Sequence, residues 1–165
     1  MTRSIDTEVG SVSAGDFEPG RLTHRVFLGP KFLFAFFNTN DELHEASRAL
    51  AEFTRSGDLP YRQFIVNEHA LDEAATRLKK RASLRYAELL FKAVEESDLF
   101  RFERVPDETF EQARVRFVEW DDNDASFTDF AVACHMEELD VDHIATYDSH
   151  YQLFDVVTVP HIDLS

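Results

Sequence analysis

Four short apolar runs, Val26-Phe27-Leu28, Gln63-Phe64-Ile65-Val66, Leu99 to Phe102 and His143 to Thr146, are separated by helix-length amphipathic stretches, and a fifth, Val156 to Val159, follows near the C-terminus. Runs this short and this uniformly apolar are strands buried on both faces, and strands spaced by helix-length segments pair in parallel with helices crossing over them. The expectation is an α/β fold: a three-layer α/β/α domain around a central, mainly parallel sheet of about five strands. The 165 residues fit a single domain, and a 44% hydrophobic composition with 16 Phe supplies its core.

The connecting segments can be placed with similar means. Gly29-Pro30 closes the first run and puts Pro in the first turn of a helix reaching Phe37. Asn40 or Asp41 caps a second helix, whose stripe Leu43, Ala46, Leu50 and Phe53 stops at Ser56-Gly57. Asn67 caps a third, running through Lys80 with Ala70, Leu71, Ala74 and Leu78 buried. A fourth spans 82–96 with Leu84, Ala87, Phe91 and Val94 inward, and a fifth spans 106–120 with Phe110, Ala113, Phe117 and Trp120 inward. Ser126 begins the sixth, which ends near Leu139. Phe32, Phe34, Phe36 and Phe37 exceed what one stripe needs, leaving either a partner surface or a larger core. Residues 1–20 have no apolar period and read as a flexible leader before a domain over 21–165.

The net charge of −15, carried with thirteen Arg and only four Lys, resembles the carboxylate surfaces of proteins from salt-loving archaea. An acidic chain is ordinarily a poor nucleic-acid binder, because phosphate neutralisation supplies most non-specific affinity. In molar salt the Debye length falls to ~3 Å, so the charge leaves RNA admissible. No apolar run approaches the ~20 residues that cross a bilayer, and Met1 to Asp6 lacks a signal-peptide core, so a cytoplasmic protein without membrane contact is expected. The lone Cys134 allows no internal disulfide and lies in a helical apolar pattern as core filler.

Three acids fall where a parallel sheet brings strand ends and helix starts to one rim. Asp129 opens the sixth helix in Ser126-Phe127-Thr128-Asp129, Asp148 follows the fourth strand in Ala145-Thr146-Tyr147-Asp148, and Glu73 lies in the second turn of the third helix. Glu73 adjoins the Ala70 to Ala74 stripe and can look across the sheet edge, whereas Asp72 faces water. Clustered acids of this kind bind a divalent cation or tune a proton. None of the seven histidines has the His-Glu-x-x-His spacing of a zinc site, and surface or packing roles suit them; His150 stands out for its nearness to Asp148. Arg77, Lys79, Lys80, Arg81 and Arg85 form the basic cluster, which either complements a helix C-terminus or contacts phosphate. There is no Gly-rich phosphate loop and no Gly-x-Ser-x-Gly elbow.

The order of these segments resembles the PIN domain, in particular VapC-type ribonuclease toxins. The matching pieces are Phe27 to Asn38 with Asp41 to Ala46, Leu71-Asp72-Glu73-Ala74, Ser126 to Asp129, and Ala145 to Asp148, covering about 25–160. The resemblance implies an Mg²⁺- or Mn²⁺-dependent nuclease that activates water for attack on an RNA phosphodiester. Glu73, Asp129 and Asp148 match the second, third and fourth family acids as catalytic metal ligands. Thr146 matches a polar position that orients a ligand or phosphate, with Lys31, Lys80 and Arg81 as further phosphate or RNA contacts. An RNA substrate, a homodimer and a cognate antitoxin are the partners implied.

The first family acid is absent. In place of an apolar-apolar-Asp-Thr-Ser pattern the chain has Phe27-Leu28-Gly29-Pro30-Lys31, so glycine replaces a ligand and an ammonium replaces a small hydroxyl. Three outcomes are open. Lys31 points away and the remaining acids hold one metal; or Lys31 pairs with Asp129 or Asp148 and the domain binds RNA or protein without cutting; or another acid, such as Asp124, completes the site.

Overall fold

The computed structural model of the protein describes residues 3–18 and 23–162. The chain begins with an antiparallel hairpin, β1 (Ser4–Thr7) and β2 (Gly10–Ser13), followed by a 3₁₀ turn over Ala14–Phe17. Val12 and Phe17 are buried in the main core, the Tyr61 hydroxyl donates to the Phe17 carbonyl at 2.5 Å, and the His161 amide donates to the Asp16 carbonyl at 2.7 Å. The segment expected as a leader thus carries a hairpin and a 3₁₀ turn over 4–17. Val12, Ala14 and Phe17 anchor the segment in the core, with Ile5 and Val9 packed against it, and their spacing follows no regular apolar period. The expected boundary at residue 20 lies outside the described residues.

The central sheet is entirely parallel, in the order β5 (Phe100–Phe102), β4 (Gln63–Val66), β3 (Arg25–Leu28), β6 (His143–Ala145), β7 (Val157–Val159). Each strand lies within two residues of its sequence expectation. Among the described residues six helices cover it as a three-layer α/β/α domain: α1 (Pro30–Phe37), α2 (His44–Ser56), α3 (Glu68–Arg81), α4 (Leu84–Glu96), α5 (Asp107–Glu119) and α6 (Phe127–Leu139). None of the described helices is long and apolar enough to cross a membrane.

Local chemistry explains where the helices differ from expectation. α2 starts at His44 because Asn38 and Asp41 accept from the amides of Asn40 and Leu43, at 3.1 and 2.8 Å, and so build turns ahead of the helix instead of capping it. Of the four phenylalanines around α1, Phe32, Phe36 and Phe37 are buried, since this helix packs against α2, α3 and α4 at once; the larger core is the outcome. On α4 the inward stripe is Ala87 and Leu90, while Leu84 and Phe91 are exposed. On α5, which packs on α6, Ala113 is buried but Phe110, Phe117 and Trp120 stay partly exposed, lying against Phe127 and Phe130.

Phe64 illustrates how the sheet is held. It is wholly buried on β4, edge-on to Phe100 of the neighbouring strand with ring centroids 5.8 Å apart. Phe64→Ala removes that contact and leaves a cavity between two strands. The expected cost is about 3–5 kcal/mol, read as a lowered midpoint in urea unfolding.

Candidate metal centre

The register of β3 against β6 sets the rim of the site. Leu28 pairs with Ala145, and the Gly29 amide donates to the Ala145 carbonyl at 2.9 Å, so the chain leaving β3 runs directly beside Thr146. Gly29 caps α1 at φ −76°, an ordinary extended conformation, so its backbone does not require glycine. A Cβ there would meet the Thr146 hydroxyl at 3.3 Å. That is close packing, which a small side-chain adjustment relieves.

Asp129 enters from the start of α6. Its Oδ2 accepts from the Ser126 amide at 2.9 Å while the Ser126 hydroxyl accepts from the Asp129 amide at 3.2 Å, a reciprocal cap that fixes the carboxylate in a buried position. Asp148 enters from the loop after β6. Thr146 holds this loop by accepting from the Asp148 amide at 3.0 Å, and Asp148 Oδ1 accepts from the His150 amide at 3.0 Å, opening a 3₁₀ turn over Ser149–Leu153. That turn swings the His150 ring back over both acids. Its Nδ1 is 3.0 Å from Asp148 Oδ1 and 3.4 Å from Asp129 Oδ2.

Asp129, Asp148 and His150 thus offer one donor atom each, all within 4.8 Å of one another. Beneath them the Tyr151 hydroxyl is fully buried and makes no hydrogen bond of good geometry among the described residues. Burial pushes its phenol well above the ordinary range, and the nearby charges of Asp129, Asp148 and Glu73 push it further. A buried hydroxyl set against the carboxylates, together with two carboxylate oxygens and an imidazole nitrogen, is a donor set that could hold a divalent cation.

Glu73 lies outside this trio. Its carboxylate is 3.4 Å from Arg77, one turn along α3. Burial raises its pKa; Asp129 and Asp148 act in the same direction, while Arg77 and Lys31 oppose them, which places Glu73 within electrostatic reach of the centre. Lys31 turns toward the site, its ammonium 3.5 Å from Asp148 Oδ2, so of the three outcomes left open the pairing with Asp148 is the one seen. Gly29-Pro30 directs the first turn of α1 across the same rim, which carries Lys31 there. Asp124 is exposed and is not among the clustered groups, so it does not complete the site. Lys80 and Arg81 are exposed at the far end of α3, roughly 10 Å along the axis from Glu73. His150 was legible only as a neighbour of Asp148, and Tyr151 carried no signal; the tight turn that aims both is a consequence of Asp148 capping it.

No family model matches the chain, and no curated protein does. Solved structures do. VapC20 of Mycobacterium tuberculosis, described as a sarcin-ricin loop cleaving toxin, matches with a TM-score of 0.68 and 23% identity over 78% of this chain and 93% of that one. FitAcB from Neisseria gonorrhoeae matches with a TM-score of 0.55 and 14% identity over 81% of this chain and 96% of that one. VapBC2 from Rickettsia felis, bound to a DNA fragment from its promoter, matches with a TM-score of 0.57, 10% identity and the same 81% and 96% coverage. With its parallel sheet, its capping acid on α6 and its acid after β6, the chain has the fold of a VapC-type PIN domain.

Proposed function

We propose that the protein is a metal-dependent ribonuclease of the VapC type that hydrolyses RNA phosphodiesters. The observation that carries this reading is the convergence of Asp129 and Asp148, from a helix start and a strand end, at the same rim as a buried unpartnered hydroxyl. When bound, a divalent cation lowers the pKa of a water and offsets the charge that develops on the scissile phosphate. Asp129 and Asp148 hold the ion, their orientation fixed by the amides of Ser126 and His150. Thr146 fixes the loop that presents Asp148. Glu73, at the cleft edge, accepts a proton more readily than an ordinary carboxylic acid because burial disfavours its charge. Lys31 reaches Asp148 from the open side, where it can meet a phosphate oxygen. Lys80 and Arg81 extend this basic contact along α3 for a longer RNA. A homodimer and a small antitoxin are the proposed partners, with Mg²⁺ or Mn²⁺ as cofactor.

The absent carboxylate at Gly29 and the Lys31–Asp148 pair favour a second reading, a PIN domain that binds RNA or protein without cutting. Lys31→Ser separates the two. The pair involves a lysine side chain 45% exposed, so its loss is worth little to stability. If the centre is a working metal site, Mn²⁺ binding tightens about three- to tenfold and cleavage of a sarcin-ricin-loop RNA hairpin in molar KCl persists, while EDTA abolishes it. Absence of EDTA-sensitive cleavage in both wild type and Lys31→Ser would leave the non-cleaving reading.

A further inference from the structure

The centre has a donor that the acids do not account for. His150 Nδ1 lies 3.0 Å from Asp148 Oδ1 and 3.4 Å from Asp129 Oδ2. Donor atoms in neighbouring positions around an octahedral ion, each ~2.1 Å from it, are ~3.0 Å apart. The imidazole nitrogen therefore stands from each carboxylate oxygen at about the spacing of neighbouring positions in such a shell, and the three donor atoms all lie within 4.8 Å of one another. Lys31 does not block that face, because it approaches the other oxygen of Asp148. Nor does position 29 supply a ligand on the opposite side.

We propose that His150, by Nδ1, is the third protein ligand of this centre, and that the resulting nitrogen-containing site selects a first-row transition ion such as Mn²⁺ over Mg²⁺. The inference rests on the metal-nuclease reading and deepens it by naming the ion class. Mg²⁺ prefers an all-oxygen shell and parts from its waters reluctantly, whereas imidazole adds affinity for transition ions. A site that has lost one carboxylate and gained an imidazole is moved toward the second group. The buried Tyr151 hydroxyl supports the assignment: it lies against the carboxylates with no other partner, the kind of outer contact that orients a ligating carboxylate.

The test uses the full chain stripped of metal with a chelator, titrated with MnCl₂ and MgCl₂ separately by calorimetry, and examined with Mn²⁺ by pulsed electron paramagnetic resonance. The expected result is ¹⁴N modulation from a coordinated imidazole in the wild type. His150→Ala should lose that modulation and bind Mn²⁺ about 10–100-fold more weakly, with Mg²⁺ affinity within about twofold of wild type. His150→Gln, which keeps the side chain's bulk and polarity, should also lose the modulation, and unchanged circular dichroism in either variant secures the comparison. Bound Mn²⁺ without ¹⁴N modulation, or an equal loss of both ions in His150→Ala, overturns the assignment and leaves the nuclease reading standing. No binding of either ion to the wild type overturns both.

Discussion

Asp148→Asn lowers metal-dependent RNA cleavage by at least about 100-fold while leaving the fold intact. The carboxylate has two separable tasks. As a cap, it accepts from the His150 amide to open the 3₁₀ turn, and the carbonyl oxygen of Asn performs this equally well. As a charged donor beside Asp129 and His150, it cannot be replaced by a neutral amide. Thermal unfolding of the variant should therefore stay within about 1 kcal/mol of wild type while its Mn²⁺-dependent cleavage of structured RNA is lost. Equal cleavage by the two proteins would remove the metal-nuclease reading.

The double change Gly29→Asp with Lys31→Ser gains Mg²⁺ binding, by about 10–100-fold relative to wild type. It restores an anion at the end of β3 and removes the cation 3.5 Å from Asp148, a change of two unit charges in a partly screened site. The backbone accepts it, since Gly29 already has negative φ. Packing resists it slightly, because the new Cβ meets Thr146 at 3.3 Å and that hydroxyl is engaged with the Asp148 amide. Gly29→Ala is the control: it carries the same Cβ with no charge, so any gain it shared would come from packing. Calorimetric titration with MgCl₂ distinguishes the outcomes, and unchanged Mg²⁺ affinity in the double variant would remove the electrostatic account of the missing acid.

Strand positions were legible because fully buried strands are written as short apolar runs between turn signals, as at Phe64, Ile65 and Val66 before the cap at Asn67. Asp129 and Asp148 were legible as neighbours because the parallel sheet brings their element ends together. The side chains that close the site were not. Whether Lys31 points toward Asp148 or away depends on the first turn of α1, and the aim of His150 depends on a 3₁₀ turn that Asp148 itself creates. Helix faces failed where two stripes compete, as on α4, where Leu90 rather than Phe91 turned inward. The hairpin at the N-terminus was missed because tertiary contacts at Val12 and Phe17, not local pattern, order it.

Both acids at the centre also hold the backbone. Asp129 closes the cap of α6 and Asp148 closes the turn that follows β6, whereas Gly29 caps α1 without any side-chain hydrogen bond and Glu73 pairs with the solvent-accessible Arg77. Mutational drift in such a site has a direction. A lineage released from selection for cleavage can discard an acid at position 29 for only about a few tenths of a kcal/mol, because glycine also serves at the N-cap of α1, and Glu73 nearly as freely. Asp129 and Asp148 would outlast the reaction they served. Their presence in this chain is accounted for by the fold alone, so the residues at positions 29, 31 and 73 are the ones that bear on the proposed reaction.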